Sequence, residues 1–236
     1  MTDEPSRLAA HTKMRAAIAR RMTLSKREAP HFYVSADVAL DDVIRRLDAA
    51  NADRVPNERV TITAVLIRAV ADALTRHPLL NAHWSDDGHE VFDEINVGVA
   101  VAVDDGLIAP ALLDCAPLGI PEISRRLADL AGRARAGKLR VAEMNKPTFT
   151  LSNMGKFDVT GFTAILNPPQ VGILATGTAA PRAVVVDGEV VVRTVMAMTL
   201  SADHRAVDGA YAAGFVGTVR QRLEDPSVLL WEDEAR

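Results

Sequence analysis

The spacing of apolar residues along the chain predicts five helices. In residues 13–27, Met14, Ile18 and Met22 recur at helical spacing among basic side chains, which indicates one apolar and one charged face. Pro30 closes this segment. Four further helices are predicted over residues 41–50, from a threonine cap at Thr61 or Thr63 to about Pro78, over residues 121–136 and over residues 208–224.

Strand patterns are interspersed with these helices in no regular order. Phe32, Val34, Ala36 and Val38 alternate with other residues at the period of a half-buried strand. Turn signals at residues 86–88, 104–106 and 187–188 separate apolar runs and predict hairpins. Because no strand–helix–strand rhythm repeats, we predict an α+β fold: a flexible arm at residues 1–12 and one compact domain at residues 13–236. The remaining strand predictions are residues 97–103, 107–113, 148–154, 171–176, 183–186 and 189–200.

Composition narrows the functional class. The chain has 236 residues, of which 48% are apolar and 25% charged, and its net charge is -4, as in an ordinary globular protein. Its basic residues are dispersed, so we expect no nucleic-acid partner. No apolar run approaches the roughly 20 residues that span a bilayer, and the acidic, polar start does not resemble a secretory signal. We therefore expect a cytoplasmic protein with no membrane partner.

Two apparent motifs carry no chemistry in our interpretation. Residues 132–138 match the first seven positions of a phosphate-binding loop, but Leu139 stands where a hydroxyl should meet magnesium, so we interpret the segment as a helix end. Cys115 is the single cysteine, which excludes an internal disulfide, and we expect its thiol to be buried and inert. The histidines show no ligand spacing, so we expect no metal site.

The segment at residues 203–209, Asp-His-Arg-Ala-Val-Asp-Gly, lies between a long apolar strand and the last helix. Such a junction can hold a side chain rigidly while it faces a cleft. Because histidine titrates near neutral pH, His204 could take a proton from a thiol of pKa about 8.5. A purely local explanation also fits: Asp208 caps the helix, Arg205 pairs with a nearby carboxylate, and His204 is a polar turn residue.

A second polar segment is residues 149–155, Phe-Thr-Leu-Ser-Asn-Met-Gly, which precedes Asn-Pro-Pro-Gln at residues 167–170. Ser152 ends a predicted strand just before a glycine-containing turn. A hydroxyl in that position can donate to an oxyanion, an effect of ~100- to 1,000-fold in rate for each donor. The local explanation is that Ser152 and Asn153 bond the backbone of their own turn.

Taken in order, these segments resemble the catalytic domain of the dihydrolipoamide acyltransferases, the core components of 2-oxo acid dehydrogenase complexes. The last block also resembles the His-x-x-x-Asp-Gly signature of chloramphenicol acetyltransferases, which share the fold of the family. The resemblance implies a chloramphenicol acetyltransferase-like mixed sheet flanked by helices. Its seven blocks are residues 14–26, 30–33, 105–108, 133–139, 149–155, 165–170 and 203–209.

The resemblance also implies a mechanism. His204 would be the general base on the thiol of dihydrolipoamide or coenzyme A, and Ser152 would hydrogen-bond the tetrahedral oxyanion. Asp208 would fix local structure through a salt bridge. In the family the site lies between subunits of a trimer, so His204 and Ser152 are expected from different chains, and residues 1–12 could wrap a neighbour. Such trimers commonly assemble into 24-mer cages or larger ones, with dehydrogenase complex subunits as possible partners.

The chain departs from complete family members, which carry lipoyl and peripheral-subunit-binding domains. It shows no Asp-Lys-Ala lipoylation hairpin and no Ala/Pro-rich linker, so we expect neither domain here. We expect either an excised core or a stand-alone acyltransferase. In the second case the donor would be a free acyl-CoA or a lipoyl group supplied by another chain, and the acceptor could be an amine or hydroxyl.

Other interpretations stay open. A non-catalytic core scaffold is a rival, although the presence of both His204 and Ser152 counts against it. A detoxifying chloramphenicol-type acetyltransferase is disfavoured, because the blocks before residue 150 follow the complex-forming family. The resemblance favours an acetyl or branched-chain acyl group. The basic helix at residues 13–26 is a candidate for the phosphates of coenzyme A, but a solvated basic face or subunit contacts explain it as well.

Overall fold

The computed structural model describes residues 11–103 and 106–232. Residues 1–10 of the expected arm, the turn residues Asp104 and Asp105, and residues 233–236 lie outside the described part. The helices are α1 (Lys13–Glu28), α2 (Asp41–Asn51), α3 (Ile62–Arg76), α4 (Ile120–Arg135), α5 (Val141–Asn145) and α6 (Gly209–Glu224), with short 3-10 turns at Pro56–Glu58, Pro78–Leu80 and Pro226–Val228.

The strands form one main sheet and two small hairpins. They are β1 (His31–Ala39), β2 (Ala82–Ser85), β3 (Gly88–Val91), β4 (Val97–Val99), β5 (Val101–Val103), β6 (Gly106–Ile108), β7 (Ala111–Leu112), β8 (Phe149–Asn153), β9 (Gly172–Thr176), β10 (Ala180–Val186) and β11 (Glu189–Asp203). The main sheet has the order β1-β11-β9-β8-β4-β7, and β10 pairs with the first half of β11. Since β8 is parallel to β9 and β4 while the other pairs are antiparallel, the predicted mixed α+β architecture is confirmed.

The main core lies between one face of the sheet and the helices α3 and α6. Phe149 of β8 and Phe215 of α6 are fully buried, and their ring centroids are 5.5 Å apart. Alternate residues of β1 and β11 face this core, as the period of a strand requires. The terminal helix α6 is therefore held by its apolar stripe, as its spacing predicted.

Helix α1 is attached differently from α3 and α6. Of its residues only Ser25 is buried, and none belongs to the main core. Two hydrogen bonds tie it to the loop before β9: Ser25 Oγ donates to the carbonyl oxygen of Leu166 (2.8 Å), and the Arg21 guanidinium donates to that of Pro168 (2.6 Å). The helix thus covers a part of the structure that is separate from the core. None of the helices within the described residues is long and apolar enough to cross a bilayer.

Two sequence predictions need correction in detail. The apolar runs at residues 97–103 and 107–113 are not single strands: each divides between the main sheet and the hairpin β5–β6. The interruption in the second run falls at Pro110, which has no N–H to donate to a ladder. Helix α5 was not predicted at all, because five residues are too few to show helical periodicity.

Two other predictions are confirmed. The loop-like motif at residues 132–138 ends α4, where Gly137 adopts a left-handed φ of 67°. Cys115 is buried, and burial raises the pKa of its thiol to about 12. Its neighbourhood is organised by buried Arg68, which donates to the carbonyl oxygens of Cys115, Ala116 and Leu118 at 2.9, 2.6 and 2.9 Å.

Candidate active site

His204 immediately follows β11, at the junction that leads into α6. Its backbone N–H donates to the carbonyl oxygen of Pro30 (3.1 Å), and its ring packs on Phe32 with centroids 4.6 Å apart. The residue is exposed, and its ring nitrogens make no hydrogen bond within the described part of the chain. The imidazole is therefore fixed by its backbone and by one aromatic contact, while both nitrogens remain available.

The residues on either side of His204 are held firmly. The carboxylate of Asp203 is buried and accepts from the backbone N–H of Arg205 (3.0 Å) and from its guanidinium (Nη2 at 2.7 Å). That guanidinium also lies 4.8 Å from the ring centroid of Trp84. Pairing of Arg205 with a carboxylate was part of the local explanation and is confirmed, but it leaves the ring of His204 free. Sequence analysis gave Asp203 no role, although an acidic residue ending an apolar strand was a signal.

Asp208 acts as the N-cap of α6. Its carboxylate accepts from the backbone N–H of Tyr211 (2.8 Å), as expected for an aspartate in this position. The expected salt bridge is not formed within residues 11–103 and 106–232, because the exposed carboxylate meets the unpaired amides of the helix start and no cation. The salt bridge of Asp208 therefore stays a prediction for the assembled protein.

Ser152 lies near the end of β8, opposite Ala175 of β9. Its hydroxyl makes no hydrogen bond within the described residues, whereas the neighbouring Asn153 is fully engaged. The Asn153 amide accepts from the backbone N–H of Gly155 (2.8 Å) and donates to Thr63 Oγ1 (3.1 Å). The local explanation thus holds for Asn153 and not for Ser152, whose hydroxyl is left for another group.

The loop that follows Ser152 is in backbone contact with the end of β9. The N–H of Thr178 donates to the carbonyl oxygen of Val159 (2.8 Å). A Cβ added at Gly177 would lie 2.2 Å from the carbonyl oxygen of Thr160 and 2.6 Å from that of Val159. Only glycine permits this approach, and it fixes the path of the chain beyond the serine.

The Ser152 side chain opens into a cavity of about 360 Å³ between α1 and the sheet. Most of its lining is apolar, and α1 contributes the residues that sequence analysis had placed on its apolar face, Met14, Ile18 and Met22. Other walls come from the hairpin region before β7, from the segment after α5 and from the loop before β9. This face of α1 therefore borders an open space, not the main core.

Within one chain, Ser152 and His204 are far apart. Ser152 of β8 pairs with Ala175 of β9, and Ala175 pairs with Thr199 of β11. His204 follows Thr199 by five residues. At ~3.4 Å per residue and ~4.8 Å per strand, the two Cα atoms are roughly 20 Å apart. They also lie on opposite faces: Ser152 lines the cavity under α1, while His204 contacts Phe32 on the face covered by α6. A single chain does not bring the two predicted residues together.

No group of three or more His, Cys, Asp or Glu that could hold a metal ion occurs in the described ranges.

The chain matches the model of a family described as 2-oxoacid dehydrogenases acyltransferase (catalytic domain), over residues 4–231. The chain belongs to this family. Among the curated proteins, the dihydrolipoyllysine-residue acetyltransferase component of the pyruvate dehydrogenase complex of Rickettsia felis is 35% identical over 229 residues. That match covers 96% of this chain and 56% of the relative, so the chain spans little more than half the length of such acyltransferases.

Solved structures of the family show the same fold. One comes from a crystallographic and enzymatic study of a serine, a histidine and an asparagine in the catalytic mechanism of Azotobacter vinelandii dihydrolipoamide acetyltransferase, with a TM-score of 0.88 and 26% identity over 94% of this chain and 93% of that one. Another is the cubic core of a pyruvate dehydrogenase multienzyme complex, with a TM-score of 0.86, 26% identity and the same coverage. A chloramphenicol acetyltransferase, 16% identical with a TM-score of 0.58 over 86% of this chain and 94% of that one, shows the fold alone.

Proposed function

We propose that the chain is an acyltransferase that moves an acyl group, acetyl or branched-chain, between the thiols of coenzyme A and dihydrolipoamide. The working site is composed of His204 from one subunit and Ser152 from its neighbour. Coenzyme A is a substrate in this proposal, and the lipoyl group arrives on another domain or chain. The acetyltransferase names of the full-length relatives support the acetyl option.

The chemistry assigned to each residue follows from its surroundings. The free imidazole of His204 takes the proton of the attacking thiol, and the thiolate adds to the thioester carbonyl. The unpaired hydroxyl of Ser152 donates to the oxyanion that forms. As the intermediate collapses, the imidazolium of His204 returns its proton to the departing sulfur, so the base is regenerated. Asp208 supports the start of α6 and takes no proton.

One observation carries the proposal: two free side chains of the right chemistry are separated by roughly 20 Å in one chain, which supports a site that is completed across a subunit boundary. Their spacing adds support. In the Azotobacter vinelandii enzyme the studied serine precedes the histidine by 52 positions and the asparagine follows it by four, and Ser152, His204 and Asp208 have these spacings. Here an aspartate occupies the third position, where it can still cap a helix.

A site that is shared between subunits requires an oligomer. We propose a homotrimer with three sites, and further association into a 24-mer cage like the cubic core of the solved relative. Lipoyl domains and dehydrogenase subunits are the proposed partners, and the cytoplasm is the proposed location. Residues 1–12 remain our candidate for an arm that contacts a neighbour, and residues 13–236 for the catalytic domain.

A coupled assay of acetyl-CoA with dihydrolipoamide tests the activity. We expect His204→Ala and Ser152→Ala each to lower kcat at least ~100-fold. When the two variant chains are coexpressed in equal amounts, about one site in four receives an intact serine and an intact histidine, so about a quarter of wild-type activity should return. Failure of the mixture to recover activity would contradict a site shared between subunits. Full activity of His204→Ala would instead refute the role assigned to this histidine, whereas absence of activity in wild type would support the non-catalytic scaffold.

A further inference from the structure

We infer that His31 is a positioning residue for the acyl transfer, because its neutral imidazole fixes the backbone segment that places the ring of His204. The inference rests on the proposed function and adds a residue to the machinery of that site. His31 is the first residue of β1, directly after the connection that leads from α1. It is one of six histidines in the chain, and its contacts set it apart from the others.

Both ring nitrogens of His31 bond to backbone groups that lie far apart in the sequence. Nδ1 lies 2.8 Å from the carbonyl oxygen of Ala29, and Nε2 lies 3.0 Å from the backbone nitrogen of Leu166. A carbonyl oxygen can only accept and a backbone N–H can only donate, so Nδ1 carries the proton and Nε2 does not. These two hydrogen bonds therefore require a neutral imidazole in one tautomer.

The bridge joins two segments that lie outside the main core. Ala29 and Leu166 are buried in a small separate cluster with Ile173. The backbone of Leu166 has a second tie, since its carbonyl oxygen accepts from Ser25 Oγ. The start of β1, by contrast, forms the last pair of the β1–β11 ladder, and strand ends open most readily. The loop before β9 is therefore the anchor, and the histidine holds the end of β1 against it.

The start of β1 makes both contacts that place His204. The carbonyl oxygen of Pro30 accepts from the N–H of His204 (3.1 Å), and the ring of Phe32 packs on its imidazole with centroids 4.6 Å apart. Pro30 and Phe32 flank His31 in the chain, so a shift of this segment moves the catalytic base. A displacement of about 1 Å in a catalytic site can cost ~100-fold in rate.

Three variants test this role. His31→Phe keeps a planar ring and removes both hydrogen bonds, whereas His31→Gln keeps one donor and one acceptor at a similar reach. The matched control is Asn51→Leu, which removes a bridge of the same kind at the end of α2. The Asn51 amide donates to the carbonyl oxygen of Val60 (3.0 Å) and accepts from its N–H (2.8 Å). The measurements are kcat, the KM of acetyl-CoA and of dihydrolipoamide, and the urea midpoint of each protein.

We expect His31→Phe to lower kcat by ~10-fold or more and to change each KM by less than ~3-fold, because the base is misplaced while the substrates still bind. His31→Gln should keep kcat within ~3-fold of wild type. Asn51→Leu should lower the urea midpoint as His31→Phe does and keep its kcat. A wild-type kcat in His31→Phe, or an equal loss of kcat in either of the other two variants, overturns the inference.

Coexpression shows which half of the site His31 affects. Each chain supplies its histidine to one site and its serine to another, so His31→Phe should impair only the sites that use its own histidine. Coexpressed in equal amounts with Ser152→Ala, it should give about a quarter of wild-type activity, because about one site in four combines an intact serine with an intact histidine half. Coexpressed with His204→Ala, it should give no more than about half of its own low activity. A chain that only misfolds would rescue neither partner.

The proposed function and the role of His31 can fail separately. If Ser152→Ala and His204→Ala complement each other but His31→Phe does not complement Ser152→Ala, the role of His31 is refuted and the proposed function stands. If wild type transfers no acyl group, the proposed function fails, and modification by diethyl pyrocarbonate, followed by mass spectrometry, still tests the positioning. His204 should then react ~3-fold or more faster in His31→Phe than in wild type, because the start of β1 opens more often and exposes the imidazole. Equal rates would refute the role of His31 as well.

Discussion

Replacement of Glu143 by glutamine should remove a pH-dependent part of the stability of the fold. Its carboxylate is almost completely buried and accepts from both terminal nitrogens of Arg133 (2.6 and 2.7 Å) and from the side chain and backbone of Arg140. The hydrogen bonds from Arg133, followed by those from Arg140, lower the pKa of Glu143 from 4.5 to about 2. The cluster joins the end of α4 to α5, which brings Met144 to the cavity wall.

The magnitude follows from linkage. A depressed folded-state pKa stabilises the fold above the unfolded value, and this stability is lost as the pH falls through 4.5 towards about 2. At 1.36 kcal/mol per pKa unit the contribution is about 3 kcal/mol at pH 7 and about 1.4 kcal/mol at pH 3. Urea unfolding of wild type and Glu143→Gln at both pH values measures it. The difference between the two proteins should shrink by about 2 kcal/mol on going to pH 3.

A matched control is Glu224→Gln, which removes an exposed i,i+4 pair with Arg220. We expect it to cost no more than ~0.5 kcal/mol at either pH. If Glu143→Gln showed the same loss at pH 7 and pH 3, the pKa of the Glu143 carboxylate would not be lowered in the fold. The reasoning from the arginine contacts would then be refuted.

Three further predictions concern the other buried charges and the single thiol. Asp203→Asn should destabilise the fold by about 2 kcal/mol in urea unfolding, because the buried carboxylate that accepts from the Arg205 guanidinium is lost, and a loss under ~0.5 kcal/mol would contradict this. Arg68→Met should destabilise the fold by about 3 kcal/mol in urea unfolding, because three carbonyl oxygens lose their donor, and a loss under ~1 kcal/mol would contradict this. Cys115 should resist alkylation at pH 8 until urea unfolds the chain, since burial raises its pKa to about 12; rapid native labelling would show that the thiol is accessible.

The fold was predictable where periodicity was long and caps were explicit. Helix α1 was expected over residues 13–27 and spans Lys13–Glu28, and the Thr61 cap and the hairpin turn at residues 86–88 are both confirmed. Prediction failed where a strand leaves one sheet for another: the apolar pattern continues through residues 97–103, but the pairing partner changes. Hydrogen-bond partners are not encoded in local hydrophobicity.

The candidate site was predictable in its residues and not in its geometry. His204 and Ser152 were identified from their junctions and from the family blocks, whereas their separation depends on the register of β8, β9 and β11. The cavity under α1 could not be predicted from the sequence either, because a helix has the same apolar pattern whether its apolar face contacts a core or borders an open space. Asp203 was named in the segment at residues 203–209 but was given no role, because its pairing with Arg205 depends on burial that only the packed structure reveals.

The close approach at Gly177 limits how this site can vary. Any other residue at position 177 would place its Cβ 2.2 Å from the backbone oxygen of Thr160. This oxygen cannot rotate away as a side chain would, so no other residue is accommodated. Any lineage that altered this position would have to reroute the segment after Ser152 at the same time. A single substitution at Gly177 is therefore incompatible with this path of the loop.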